Sequence, residues 1–264
     1  MKKLLLSAPV LLLLVACEPE PANSTDDKRT IAAIQGSQNL SHLYAGRPTE
    51  YSWPTIAQSN TAPISESLLT SNYYLVIDGS GSMDEVGCSG DRKKIDVAKA
   101  AVNQFIDSIP KDANVGLLVF DDQGISERVV LSTNHDDVKQ HVQNIVANGG
   151  TPLLQAMTRA YSAITQQAQA QLGYGEYHMV VVTDGEANSG QDPSKIVDTI
   201  VRKSPITLHT IGFCIGDGHS LNVPGLTDYR AANNPDELLA GLQSVLAESA
   251  EYPADTFDAG GAKQ

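Results

Sequence analysis

The sequence predicts one doubly wound α/β domain, with a mostly parallel central sheet and helices on both of its faces. Three observations predict it. Residues 73–77, 115–120, 179–182 and 206–211 are continuous or nearly continuous apolar runs, the pattern of strands buried on both faces of a parallel sheet. Amphipathic helical stripes lie between these runs. Strand and helix alternate along the chain, as a parallel sheet with crossover helices requires.

In chain order, the run at 73–77 is followed by a stripe of Ile95, Val97, Ala98, Ala101, Val102, Phe105 and Ile109. After the second strand, residues 128–131 alternate less cleanly and read as an edge strand. Val138, Val142, Ile145 and Val146 form the next stripe, and Leu153, Leu154, Met157, Ala160, Tyr161 and Ile164 the third. Thr151 takes the cap position of that third helix and Pro152 its first turn. Ile196, Val197, Ile200 and Val201 supply a short helix. The last one opens at Asn234-Pro235-Asp236-Glu237, a cap residue, a proline and two acids at the positive end of the helix. The domain is expected over residues 72–249. Residues 250–264 are small, polar and acidic, and read as a disordered tail.

The chain has 264 residues, room for one sizeable domain and its tails. Thirty-one acidic residues against 18 Lys and Arg give a net charge of −13. That excess repels phosphate backbones and argues against nucleic-acid binding. At the start, Lys2 and Lys3 precede an apolar stretch, residues 4–16, interrupted only by Ser7 and Pro9. It is short of the roughly 20 residues that span a bilayer and has the shape of a secretory signal. It ends in Leu14-Val15-Ala16-Cys17, which resembles the bacterial lipobox. The resemblance implies a signal peptide over residues 1–16, a lipid on Cys17, and a membrane-anchored protein of the cell envelope. Glu18, rather than Asp, after the cysteine favours the outer membrane of a Gram-negative cell, on its periplasmic or surface face. Residues 17–71 form the lipidated Cys and a flexible linker, rich in Pro, Ser, Thr, Asn and Gln. The sequence leaves open whether its later part, with His42, Tyr44, Tyr51 and Trp53, packs on the domain.

Chemistry concentrates at three loops. Asp78-Gly79-Ser80-Gly81-Ser82 follows the first strand directly, so Asp78 sits at a strand's carboxyl end, where open α/β sheets bind ligands. Gly149-Gly150-Thr151-Pro152 precedes a helix. Thr183-Asp184-Gly185-Glu186 follows the strand at 179–182. Three hydroxyls and two carboxylates from separate loops can converge. Such oxygen ligands select a hard cation, Mg²⁺, Mn²⁺ or Ca²⁺, and exclude a thiolate zinc site.

These residues resemble the metal-ion-dependent adhesion site of the von Willebrand factor A family, written DxSxS, then a Thr after a Gly-rich loop, then an Asp in a T-D-G turn. Asp78, Ser80, Ser82, Thr151 and Asp184 occupy all five positions in order. The resemblance implies that the first and fourth parallel strands are neighbours. It implies direct contacts from Ser80 and Ser82 to the metal, contact from Thr151 directly or through water, and contacts from the Asp residues mainly through water. It further implies that a partner protein's Glu or Asp completes the sphere of the ion. Met83, Asp84, Glu186 and Asn188 would then ring the site and set specificity.

Asp121 and Asp122 stand where relatives often carry Ser or Thr, and read as a turn or as an added charge behind the site. Cys88 and Cys214 should both project from the ligand-bearing edge, as a disulfide or as two free thiols. The six His residues show no ligand spacing except the His135/His141 interval, which is poor for one helix face. No GxSxG elbow and no GxxxxGK[ST] loop is present, so neither a serine-hydrolase triad nor nucleotide binding is expected. The reading is a Mg²⁺-dependent protein-binding domain without enzymatic activity. A metal-dependent hydrolase and a structural domain with an idle site are the alternatives.

Overall fold

In the computed structural model, residues 53–54 and 63–247 are described. The expected signal peptide, Cys17, most of the expected linker and the expected tail lie outside the described residues. Six strands form one sheet: β1 (Asn72–Asp78), β2 (Asn114–Asp121), β3 (Gly124–Ser132), β4 (Tyr177–Thr183), β5 (Thr207–Phe213) and β6 (Asp228–Ala232). Five α-helices join them: α1 (Lys94–Ser108), α2 (His135–Gln143), α3 (Leu153–Ala170), α4 (Ser194–Lys203) and α5 (Pro235–Ala247). The strand order is β3-β2-β1-β4-β5-β6. Every pairing is parallel except β2 with β3, which is antiparallel at one edge. The mixed, doubly wound sheet is the one expected, with β1 and β4 adjacent.

The strands bury both faces because helices cover both. Tyr73, Leu75 and Ile77 of β1 face a core shared with α1, α2 and α5. Tyr74 and Val76 face the core of α3 and α4. Successive side chains of one strand thus enter opposite layers, which is why these runs are unbroken apolar sequence rather than alternation. The edge strand β3 is less completely covered: Val129 enters the first core, Ile125 and Leu131 pack against the second, and Val130 is 64% exposed.

Three local expectations need correction. Helix α3 starts at Leu153 with Pro152 as its cap residue and no side-chain cap hydrogen bond, so Thr151 does not cap it. Its backbone is held elsewhere, by Asn188. Helix α2 stops at Gln143, leaving Ile145 and Val146 outside the stripe. The chain turns there so that Asn148 N donates to Gly79 O (2.8 Å). Ile145 stays buried, while Val146 is turned out. Met83, expected at the rim, lies wholly inside the first core, because a 3-10 turn (Gly81–Asp84) rolls it under the loop. Trp53 does pack on the domain, edge-on to Tyr177 with ring centroids 5.1 Å apart.

Candidate metal centre

Parallel register brings the carboxyl ends of β1, β2 and β4 level. Asp78 pairs with Phe120, and Ile77 with Val182, so Asp78 ends its strand beside Thr183 and one residue short of Asp184. Strand order reverses here, between β1 and β4, which is where doubly wound sheets open a crevice. Asp78 is fully buried. One of its oxygens accepts from Ser80 N (2.7 Å) and the other from Thr183 Oγ1 (2.5 Å). These contacts orient the carboxylate and hold the DGSGS turn against the strand end. Gly79 N in turn donates to Phe120 O (2.8 Å), and Gly81 N to Gly149 O (3.0 Å).

The hydroxyls meet in front of this carboxylate. Ser80 Oγ and Ser82 Oγ are 3.0 Å apart, and Ser82 Oγ donates to Asp184 Oδ1 at 2.7 Å. Thr151 flanks the same spot: a Cβ added at Gly185 would lie 3.5 Å from both Ser82 Oγ and Thr151 Oγ1. All five sequence-predicted residues are therefore drawn to one place. Asp78, Ser80, Thr151 and Asp184 are buried, and Ser82 is half-buried. Burial drives the Asp78 carboxyl up to about 6; hydrogen bonds from Ser80 and Thr183 oppose the rise and the charge of Asp184 adds to it. A carboxylate desolvated in this way favours a nearby cation. Two carboxylates with three hydroxyls suit a hard divalent ion.

Four other residues serve the cluster. Lys94, the first residue of α1, reaches Asp184 Oδ2 at 2.8 Å. Thr183 holds Asp78. Asn188 Oδ1 accepts from Thr151 N (3.1 Å), while Asn188 N donates to Thr151 O (3.0 Å), so this residue positions the threonine. His219, buried and stacked on Tyr229, bonds through Nε2 to Gly185 O (2.9 Å). Thr183 stands in the quoted T-D-G turn and Asn188 among the rim residues. Lys94 and His219 carry no sequence signal, since their partners lie 90 and 34 residues away. Asp84 and Glu186 are exposed beside the loops. Asp121 is buried behind Gly79, where Arg128 (2.6 Å) and Gln123 N (3.0 Å) occupy one of its oxygens. It is an added carboxylate, matched by its own arginine.

Cys88 and Cys214 form a disulfide, with Cα atoms 5.5 Å apart. It joins the loop before α1 to the end of β5, at the ligand-bearing edge. None of the described histidines joins the cluster's oxygens as a ligand set. Among the described residues, no three His, Cys, Asp or Glu side chains are grouped to hold a metal, so any cation here rests on hydroxyls with two carboxylates.

Fold and site together define a class: a doubly wound α/β domain with an oxygen-donor cluster at its switch point. The model of the von Willebrand factor type A domain matches residues 72–244, and the chain belongs to that family. It is 25% identical over 203 residues to the Bacillus subtilis protein YwmD, covering 69% of this chain and 88% of that one. Among solved structures, the manganese-loaded TRAP protein of Plasmodium vivax superposes with TM-score 0.52 and 18% identity, over 67% of this chain and 73% of that one. The pilus adhesin SpaC of Lactobacillus rhamnosus superposes with TM-score 0.50 and 15% identity, over 70% of this chain and 31% of that one. At these identities the two structures share the fold.

Proposed function

We propose that Asp78, Ser80, Ser82, Thr151 and Asp184 hold Mg²⁺, with Mn²⁺ or Ca²⁺ able to replace it, and that the held ion binds an acidic side chain of a partner protein. The observation that carries this reading is the position of Ser82 Oγ, within 3.0 Å of Ser80 Oγ and 2.7 Å of Asp184 Oδ1 at the carboxyl edge of the sheet. Mg²⁺ requires about six oxygens. Hydroxyls are neutral donors, so they leave its charge undercompensated and able to attract an external carboxylate. The manganese of TRAP and the adhesive role of SpaC, both on this fold, support the reading. We further propose that the domain is displayed from the cell envelope by a lipid on Cys17, on the outer membrane if the cell is Gram-negative, for adhesion or for scaffolding an envelope complex.

The test is a pull-down. The full chain, immobilised in detergent, is exposed to solubilised envelope proteins in Mg²⁺ and in EDTA, with Asp184→Ala as control. A protein retained only in Mg²⁺ and lost with the variant is expected. Equal retention in all three conditions would overturn the metal-bridged reading.

A further inference from the structure

We infer that Lys94 is a built-in counter-cation that weakens the site for a bare divalent ion and reserves its strength for an ion joined by a carboxylate ligand. The inference rests on the metal reading above. Lys94 Nζ lies 2.8 Å from Asp184 Oδ2, with the lysine side chain 7% exposed and the aspartate 0%. The other Asp184 oxygen takes the Ser82 hydroxyl (2.7 Å). Glu85 also approaches Lys94, at 3.7 Å, but its side chain is 71% exposed, and an exposed partner of that kind contributes little.

The ammonium is held in place by its surroundings. Lys94 N donates to Glu85 O (2.9 Å). The stem runs over Gly87, where an added Cβ would come 2.5 Å from Lys94 Cε and where φ is +46°, so glycine is needed both for the close approach and for the backbone. The neighbouring Cys88 ties the same loop to the end of β5. Lys94 cannot swing into water without moving a loop anchored on both sides.

Charge counting gives the consequence. Asp78 and Asp184 contribute two negative charges and Lys94 returns one positive charge. A divalent ion then leaves the cluster with one positive charge in excess, and a single partner carboxylate restores neutrality. Without Lys94, the ion alone would neutralise the two aspartates, and the partner's carboxylate would make the cluster negative. Buried charges are poorly screened, so these balances bear on affinity. Lys94 therefore disfavours binding of the bare ion and favours binding of a carboxylate onto it, while the attraction between ion and carboxylate couples the two reciprocally.

The experiment measures Mn²⁺ affinity of the full chain by electron spin resonance, without and with one fixed, sub-saturating concentration of acetate as a carboxylate probe. Lys94→Gln keeps a hydrogen-bond donor toward Asp184 without the charge, Lys94→Met removes both, and Lys94→Arg keeps the charge. Without acetate, both neutral variants should bind Mn²⁺ on the order of tenfold more tightly than wild type, as expected for removing one cation at ion-pair distance. Acetate should tighten Mn²⁺ binding in wild type and Lys94→Arg, and do so much less in the neutral variants. Thermal melts in EDTA confirm that the variants compared are folded. Wild type that binds Mn²⁺ while the folded neutral variants bind it equally or more weakly would overturn the counter-cation role alone. Wild type that fails to bind Mn²⁺ would overturn the metal reading and this inference with it.

Discussion

Ser82 is half-buried, yet its hydroxyl joins Ser80 to Asp184. Ser82→Ala should therefore cut Mn²⁺ affinity at least tenfold, and removing a hydrogen bond to the buried Asp184 carboxylate should lower the unfolding free energy by about 1–3 kcal/mol, two effects that titration and urea melts can read on one sample. Gly79 matters through packing. A Cβ there would come 2.8 Å from Asp121 Cβ and 2.9 Å from Ile145 Cγ2, so Gly79→Ala should destabilise the fold by about 1–3 kcal/mol through overpacking. His178 matters away from the site. Its ring stacks on Tyr73 at 4.7 Å and its Nδ1 lies 3.4 Å from His209 Nε2. Burial, aided by His209, lowers its pKa to about 4, against about 6.5 in an unfolded chain. Between those values the unfolded state binds more protons than the native one. The stability His178 contributes is complete above about pH 6.5 and falls away as pH drops toward 4. From pH 7.5 to pH 5 the loss should be about 2 kcal/mol, and His178→Gln should flatten that slope in urea unfolding.

Elements were legible wherever local chemistry sufficed. The last helix is the clearest: Asn234 Oδ1 accepts from Glu237 N (2.9 Å), and Glu237 Oε2 accepts from Asn233 N (2.7 Å), a reciprocal cap written in adjacent residues. The start of α3 departs from its local pattern because Thr151, a good cap residue by type, is committed to the cluster and held by Asn188 across 37 residues. Helix α2 ended early for a similar reason, since the chain had to deliver Asn148 to Gly79. The disulfide closes a span of 126 residues between two elements. Reduction should lower stability by about 2–5 kcal/mol, the range for long loops, as read from denaturant midpoints with and without dithiothreitol. It should also loosen the loop that carries Gly87 and leads into Lys94.

For the whole molecule, the net charge of −13 draws cations toward the surface but does not say where one is held. That depends on the switch point of the sheet. Membrane attachment belongs to this scale as well. If Cys17 is lipidated, the full chain expressed in a bacterium should partition into the detergent phase of Triton X-114, and Cys17→Ser should move it to the aqueous phase. Equal partitioning of the two would remove the lipid anchor from the proposal.

The alternation of strands and helices and the burial of the sheet on both faces were readable from local periodicity, and the five oxygen-bearing residues from short loop strings that match a family motif, two of them at strand ends and one before a helix. What those residues touch emerged only on folding. Lys94 on Asp184, Asn188 on Thr151, His219 on Gly185 and Cys88 on Cys214 are contacts between loops far apart in the chain. Met83 likewise went inward, and Trp53 onto Tyr177, through packing that no local pattern encodes. The physical reason is the same throughout: a propensity or a stripe is a property of neighbours along the chain, whereas a charge or a hydroxyl acquires its role from whichever group the parallel register sets beside it.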